Sequence, residues 1–120
     1  MMNVLIIDVD AMVVELNRRY VTQIPGFQCC GTVSTLFQAE DLIFNSDIHI
    51  DLILLDIYMH KENGLDLLPI LHGARRKIDV IVISSAADAA TIKDSLHYGV
   101  VDYLIKPFQA TRFEEALNNW

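Results

Sequence analysis

The sequence predicts a single α/β domain in which a five-stranded parallel sheet is covered by helices on both faces. Short apolar blocks such as "VLII", "LILL" and "VIVI" alternate with longer helical patterns, and the strand–helix order repeats five times. Strands that are apolar throughout are typical of a parallel sheet buried on both sides. Right-handed crossovers then give a doubly wound arrangement, and 120 residues are enough for one such domain.

Each predicted element follows from a local pattern. Apolar runs predict strands at Asn3–Ile7, Phe27–Val33, Asp51–Leu55, Asp79–Ile83 and Asp102–Ile105. Helices are predicted at Ala11–Ile24, from a Ser34 cap to about Asn45, and at Leu65–Gly73, Asp88–Tyr98 and Gln109–Asn119. Asp10 is a natural N-cap for the first helix. Pro25–Gly26 breaks that helix, and Gly99 stops the fourth.

Composition and charge exclude several classes of protein. The chain is 52% hydrophobic with a mean hydropathy of +0.32, but its short apolar blocks never approach the ~20 apolar residues of a membrane span. No charged start precedes a long apolar segment, so we expect no signal peptide, no membrane association and a cytoplasmic location. The net charge of -7 disfavours DNA binding by this domain itself. Cys29 and Cys30 are adjacent, which predicts two buried strand residues of a reduced protein rather than a zinc or disulfide site.

Polar side chains follow the predicted strands at their carboxyl ends, where doubly wound sheets bind ligands. They are Asp8 and Asp10 after the first strand, Asp56 after the third, Ser84 and Ser85 after the fourth, and Lys106 after the fifth. A carboxylate can accept a phosphoryl group as a nucleophile, and Mg²⁺ prefers oxygen ligands. A lysine and a hydroxyl can neutralise and bind the transferred group. The set therefore predicts phosphoryl chemistry.

One motif at this edge resembles an enzyme family. The stretch "LIIDVDAM" is similar to the opening of haloacid dehalogenase-type phosphatases, in which Asp8 would be the nucleophile and Asp10 the acid/base. That family also needs an acidic pair downstream of its lysine to hold Mg²⁺. After Lys106 only Glu114 and Glu115 remain, on a helix rather than at a strand end. This alternative is the weaker one.

The second resemblance covers the whole chain. The blocks "DLILLDIYMHKENGLDLLP", "VIVISSA" and "VVDYLIKPF" resemble the receiver domain of bacterial two-component response regulators, closest to the citrate- and C4-dicarboxylate-responsive regulators of transcription. The resemblance implies a flavodoxin-like sheet of strand order 2-1-3-4-5 flanked by five helices. It further implies that Asp56 accepts a phosphoryl group from a partner histidine kinase, that Ser84 and Lys106 bind this group, and that Tyr103 is the aromatic switch residue.

The same resemblance implies a magnesium site with an unusual member. Asp8, Asp56 and the backbone carbonyl of Tyr58 would hold the ion. Receivers usually carry two consecutive acidic residues after the first strand, and here Val9 stands where the second, which touches Mg²⁺ directly, is expected. Asp10 is one position further along and is expected to cap the helix. We therefore predict weakened Mg²⁺ binding.

Two structural features are implied beside the site. Lys106–Pro107 matches a peptide that is usually cis in this family, a conformer rarely seen away from proline. Asn63–Gly64 matches the turn after the phosphorylation loop, where glycine tolerates positive φ.

The function implied is a phosphorylation-controlled switch rather than an enzyme, with at most self-phosphorylation from small phosphodonors and autodephosphorylation. Residues 1–120 would form the receiver, and a DNA-binding effector domain would follow in the parent protein. Homodimerisation is expected through the fourth helix, last strand and last helix. A pseudo-receiver that signals without phosphorylation is the alternative that Val9 favours.

Overall fold

The computed structural model describes residues 1–88 and 99–120, and its central sheet has the predicted topology. The five strands are β1 (Met2–Ile7), β2 (Phe27–Val33), β3 (Leu52–Asp56), β4 (Asp79–Ser85) and β5 (Val100–Lys106). All neighbouring pairs are parallel, in the order β2-β1-β3-β4-β5. This confirms the predicted order 2-1-3-4-5. β2 and β5 are the edge strands, and the order reverses between β1 and β3.

Four α-helices lie within the described residues. They are α1 (Ala11–Gln23), α2 (Leu36–Asn45), α3 (Leu67–Gly73) and the C-terminal helix (Ala110–Asn119). The predicted helix at Asp88–Tyr98 lies outside the described residues apart from Asp88, which ends the 3₁₀ turn Ala86–Asp88. In residues 1–88 and 99–120, every helix is too short or too polar to cross a membrane.

The three central strands, β1, β3 and β4, are buried on both faces, as their continuous apolar sequence predicts, and the edge strands β2 and β5 are partly exposed. Alternate residues of each strand enter two separate clusters, so that Leu5 and Ile7 lie on one face of the sheet and Val4 and Ile6 on the other. The first cluster contains residues of α2 and α3, and the second contains residues of α1 and the C-terminal helix. This two-sided packing fixes the sheet and the positions at which its strands end.

Several predicted boundaries were wrong by one or two residues, mostly because the sheet extends further than the apolar runs. β3 includes Asp56, and β4 and β5 continue in register through the pairs Ser84–Ile105 and Ser85–Lys106. The polar residues of the carboxyl edge therefore end the last three strands instead of following them. Parallel pairing needs only backbone groups, so polar side chains do not stop it.

The helix starts also differ from the prediction. Thr35, not Ser34, caps α2, because its hydroxyl accepts from the Gln38 amide at 3.1 Å. The predicted Leu65 start of the third helix falls in a 3₁₀ turn, Gly64–Asp66, and α3 itself begins at Leu67. A short antiparallel hairpin follows β3 and was not predicted. Its two strands, Tyr58–Met59 and Glu62–Asn63, have two residues each. Strands this short leave no periodic pattern in the sequence.

Candidate functional site

Four predicted site residues meet at the carboxyl edge of the sheet. Asp8 directly follows β1, Asp56 ends β3, Ser84 is the sixth residue of β4, and Lys106 ends β5. Asp8, Asp56 and Ser84 are 3%, 8% and 1% exposed, although each carries a polar side chain. Polar groups are rarely buried without a partner or a function. The sequence prediction that these residues share one edge is confirmed.

One lysine holds the two buried carboxylates together. The Lys106 Nζ lies 3.1 Å from Asp8 Oδ2 and 3.6 Å from Asp56 Oδ1. Burial is the main cause that raises the pKa of Asp56 to about 6, and the charge of Asp8 adds to it, while Lys106 acts in the opposite direction. Two carboxylates share a single cation, so the cluster has a net negative charge when both carboxylates are ionised.

Ser84 follows the β4 partner of Asp56, and its hydroxyl makes only a long hydrogen bond. Asp56 pairs with Ile83 across β3 and β4, so Ser84 is one residue beyond the partner of Asp56. The Ser84 hydroxyl donates to the Ser85 carbonyl at 3.4 Å, which is long for such a bond. This buried hydroxyl can therefore turn to a stronger acceptor that arrives at the site.

The two aspartates of the D-V-D motif have different roles in the structure. The Asp10 carboxylate accepts from the Met12 amide at 2.9 Å and the Val13 amide at 3.4 Å, so it caps α1 as predicted. Asp8 instead turns toward Lys106 and also accepts from the Asp10 amide at 2.9 Å. Val9, between them, is partly buried against the core cluster that contains α2 and α3. Position 9 thus contributes packing where a carboxylate was expected.

Two backbone features were predicted beside the site, and one of them has a different physical reason than predicted. The Lys106–Pro107 peptide is cis. Gly64 is absent from the positive-φ residues, so the predicted conformational reason was wrong. A Cβ added at Gly64 would lie 2.0 Å from the Asp56 carbonyl oxygen. Glycine is needed here because the loop backbone approaches the end of β3 too closely for any side chain.

Both aromatic residues of the prediction are exposed. Tyr103 is 44% exposed on β5, and Tyr58 begins the short hairpin with its side chain also in solvent. The switch role of Tyr103 remains a prediction. The role of the Tyr58 carbonyl remains a prediction.

Sequence reasoning missed an ion pair next to Tyr103. The guanidinium of Arg112, in the C-terminal helix, lies 2.9 Å from Asp102 Oδ1 and also donates to the Tyr103 carbonyl at 3.0 Å. Ten residues separate Arg112 from Asp102 along the chain, and only the packing of the helix on β5 brings them together. No local pattern in the sequence signals this pair.

The fold and the site together define a response regulator receiver domain, and the chain belongs to this family. The family model described as "Response regulator receiver domain" matches residues 4–118.

Among curated proteins, the chain is 83% identical over 120 residues to the transcriptional regulatory protein DcuR of Escherichia coli (strain K12). It is 52% identical over 120 residues to MalR of Bacillus subtilis (strain 168), also a transcriptional regulatory protein. It is 39% identical over 120 residues to a probable C4-dicarboxylate response regulator, DctR, of Halalkalibacterium halodurans. These matches cover 100% of this chain and 50%, 50% and 51% of the respective relatives. The chain thus spans about half the length of the curated relatives it matches.

Solved structures give the same fold. A response regulator receiver protein from Pseudomonas putida matches with a TM-score of 0.85 at 28% identity, over 99% of this chain and 97% of that one. The CheX-CheY-BeF3-Mg+2 complex from Borrelia burgdorferi matches with a TM-score of 0.80 at 25% identity, over 98% of this chain and 87% of that one.

Proposed function

We propose that this receiver domain is a phosphoacceptor switch in which Asp56 takes a phosphoryl group from a sensor histidine kinase. The observation that carries the proposal is the buried Asp56 carboxylate, 3.6 Å from the Lys106 ammonium at the carboxyl edge of the sheet. An Asp56 oxygen attacks the phosphorus of the kinase phosphohistidine. A phosphorus–oxygen bond forms, the phosphorus–nitrogen bond breaks, and the imidazole leaves with the electron pair.

The surrounding side chains stabilise the transferred group. Lys106 is placed to neutralise the phosphoryl oxygens, which bring additional negative charge next to a carboxylate. The Ser84 hydroxyl exchanges its long bond to a carbonyl for a charge-assisted bond to a phosphoryl oxygen. The domain acts as a switch, with self-phosphorylation from small phosphodonors and autodephosphorylation as its only chemistry.

Mg²⁺ is the proposed cofactor, and the donor set fits it incompletely. Asp8 and Asp56 present carboxylate oxygens with an excess of buried negative charge, which suits a hard cation. Within residues 1–88 and 99–120, no group of three or more His, Cys, Asp or Glu side chains is arranged to hold a metal ion. The Tyr58 carbonyl and water would complete the shell, and Val9 supplies no ligand. When bound, the ion neutralises phosphoryl charge, and weaker binding is the proposed consequence of Val9.

The proposed output depends on Tyr103. Phosphorylation draws Ser84 toward Asp56, and the Tyr103 side chain turns inward into the vacated space. This changes the surface formed by the predicted fourth helix, β5 and the C-terminal helix, which we propose as the homodimer interface. The fourth helix of that surface lies outside the described residues.

The role of the parent protein is inferred from its relatives. One relative is named a probable C4-dicarboxylate response regulator, and others are named transcriptional regulatory proteins. We therefore propose a cytoplasmic regulator that activates transcription in response to C4-dicarboxylates or citrate. DNA would bind only to an effector domain outside residues 1–120, since this domain carries a net charge of -7.

Two other functions are less well supported. The phosphatase alternative needs Asp10 as acid/base, but this carboxylate is engaged as the N-cap of α1. The pseudo-receiver alternative is favoured by Val9 alone, since the Asp56, Ser84 and Lys106 constellation is intact.

The deciding experiment is labelling with acetyl phosphate, with and without Mg²⁺, on wild type and Asp56→Asn. We expect labelling of the wild type only, slower than in receivers with two consecutive acidic residues. Absence of labelling at any Mg²⁺ concentration would establish the pseudo-receiver. Turnover of a generic phosphomonoester would instead favour the phosphatase.

A further inference from the structure

Two side chains bond the backbone of Tyr103, whose strand has a neighbouring strand on one side only. β5 is an edge strand. The Tyr103 amide donates to Asp102 Oδ1 at 2.8 Å, and its carbonyl accepts from Arg112 Nη2 at 3.0 Å. Both polar backbone groups of this residue are therefore bonded to one ion pair. Edge strands ordinarily leave such groups to water or to an added strand.

The geometry of the Asp102–Arg112 ion pair restricts the orientation of both side chains. Both terminal nitrogens of the Arg112 guanidinium donate to Asp102, Nη2 at 2.9 Å and Nη1 at 3.4 Å, in the bidentate geometry that fixes orientation as well as charge. The hydrogen bond with Asp102 is the largest cause that raises the pKa of Arg112. Asp102 Oδ1 is thus shared between Arg112 and the Tyr103 amide. The three groups form a closed ring of hydrogen bonds across the free edge of the sheet.

The side chain of Tyr103 lies partly in solvent, whereas both polar groups of its backbone are bonded to the ion pair. Its exposed fraction is 44%. A side chain that must turn between two positions needs a fixed pivot, because strand movement would otherwise absorb the change. The Asp102–Arg112 pair provides this pivot.

We propose that Arg112, with Asp102, is a positioning residue for the switch at Tyr103: the pair fixes the edge-strand backbone so that phosphorylation moves only the aromatic side chain. This inference rests on the proposed function, because it assumes that Tyr103 responds to the phosphoryl group. It assigns a role to a residue that bonds the backbone of the switch residue. Its effect is transmitted through backbone hydrogen bonds.

Amide hydrogen exchange and NMR of Tyr103 test the proposal. Arg112→Gln and Asp102→Ala should each speed exchange of the Tyr103 amide about 5–10-fold, the effect of losing roughly one hydrogen bond. The double variant should add little, because the two residues act as a unit. Arg112→Lys keeps the positive charge but loses the bidentate guanidinium contact, so the exchange rate of the Tyr103 amide should be intermediate. Arg18→Gln, which breaks the exposed Arg18–Glu15 pair on α1, is the matched control and should leave exchange unchanged.

The response to beryllofluoride separates this inference from the proposed function. In wild type the Tyr103 ring signals should shift between two sharp positions, and in Arg112→Gln they should broaden. If the wild-type ring does not respond, the switch itself is refuted. If the wild-type ring responds and Arg112→Gln gives the same exchange rate and the same sharp shift, Arg112 has no positioning role, whereas the proposed function stands.

Discussion

Replacing Asp56 by asparagine should stabilise the metal-free protein, although it removes the proposed phosphoacceptor. Asparagine has nearly the shape of aspartate and carries no charge. Lys106 would then pair with Asp8 alone, at the present 3.1 Å, and the cluster would be neutral. The wild-type cluster is strained electrostatically, because burial and Asp8 raise the pKa of Asp56 from 3.8 to about 6.

The size and pH dependence of this effect follow from that pKa. The folded protein binds the Asp56 proton more tightly than the unfolded chain, so the contribution of Asp56 to the free energy of unfolding is largest below the unfolded pKa of 3.8. It falls as pH rises through about 6 and is level above. A difference of roughly two pKa units corresponds to about 2–3 kcal/mol at neutral pH. For a domain of this size, the melting temperature of Asp56→Asn should be about 5–15 °C higher.

Denaturant unfolding between about pH 4 and pH 7, with a chelator present, measures both quantities. Wild type should lose stability across this range, and Asp56→Asn should lose less. Asp47→Asn removes an exposed carboxylate and controls for the change in net charge. If Asp56→Asn is no more stable than Asp47→Asn at neutral pH, the electrostatic reasoning about the cluster is wrong.

Three other substitutions test separate parts of the structure. Val9→Asp should raise Mg²⁺ affinity about 10–100-fold and lower the melting temperature without metal, as measured by Mg²⁺ titration and melting of both forms. Trp120→Phe removes the indole N–H bond of 2.6 Å to Asp79 and should cost about 1–2 kcal/mol in denaturant unfolding. Gly64→Ala places a Cβ 2.0 Å from the carbonyl oxygen that ends β3 and should cost about 2 kcal/mol or more by the same assay. Gly73→Ala, where no atom lies within 4 Å of the added Cβ, is its control and should be close to neutral.

The sequence predicts the sheet and the main site residues because both depend on local signals. Continuous apolar runs indicate strands buried on two faces, and parallel strands must bring their carboxyl ends to one edge. That geometry alone places Asp8, Asp56 and Lys106 together once the strand order is known. The apolar runs do not show where pairing ends, which is why β4 and β5 extend beyond their predicted limits through Ser85 and Lys106.

Contacts between distant segments could not be predicted. Arg112 reaches Asp102 only after the C-terminal helix packs on β5, and Trp120 bonds Asp79 across 41 residues of sequence. Gly64 was predicted to be important for its φ, but the actual reason is the close approach of the Asp56 backbone. The sequence alone does not separate these two reasons. Sequence patterns therefore give the residue types at the site, and tertiary packing gives the support around them.

Valine at position 9 changes the charge balance of the site more than its shape. With Asp56 ionised, Asp8, Asp56 and Lys106 sum to one negative charge, and a third carboxylate would double it. A site with the third carboxylate depends on a cation to offset repulsion between buried like charges. The present site has Lys106 as its own partial counterion, so it can fold and remain ordered with less help from Mg²⁺. Metal dependence and phosphoacceptor capacity are then separable in the proposed switch: we expect Val9 to lower the first, while Asp56, Ser84 and Lys106 would retain the second.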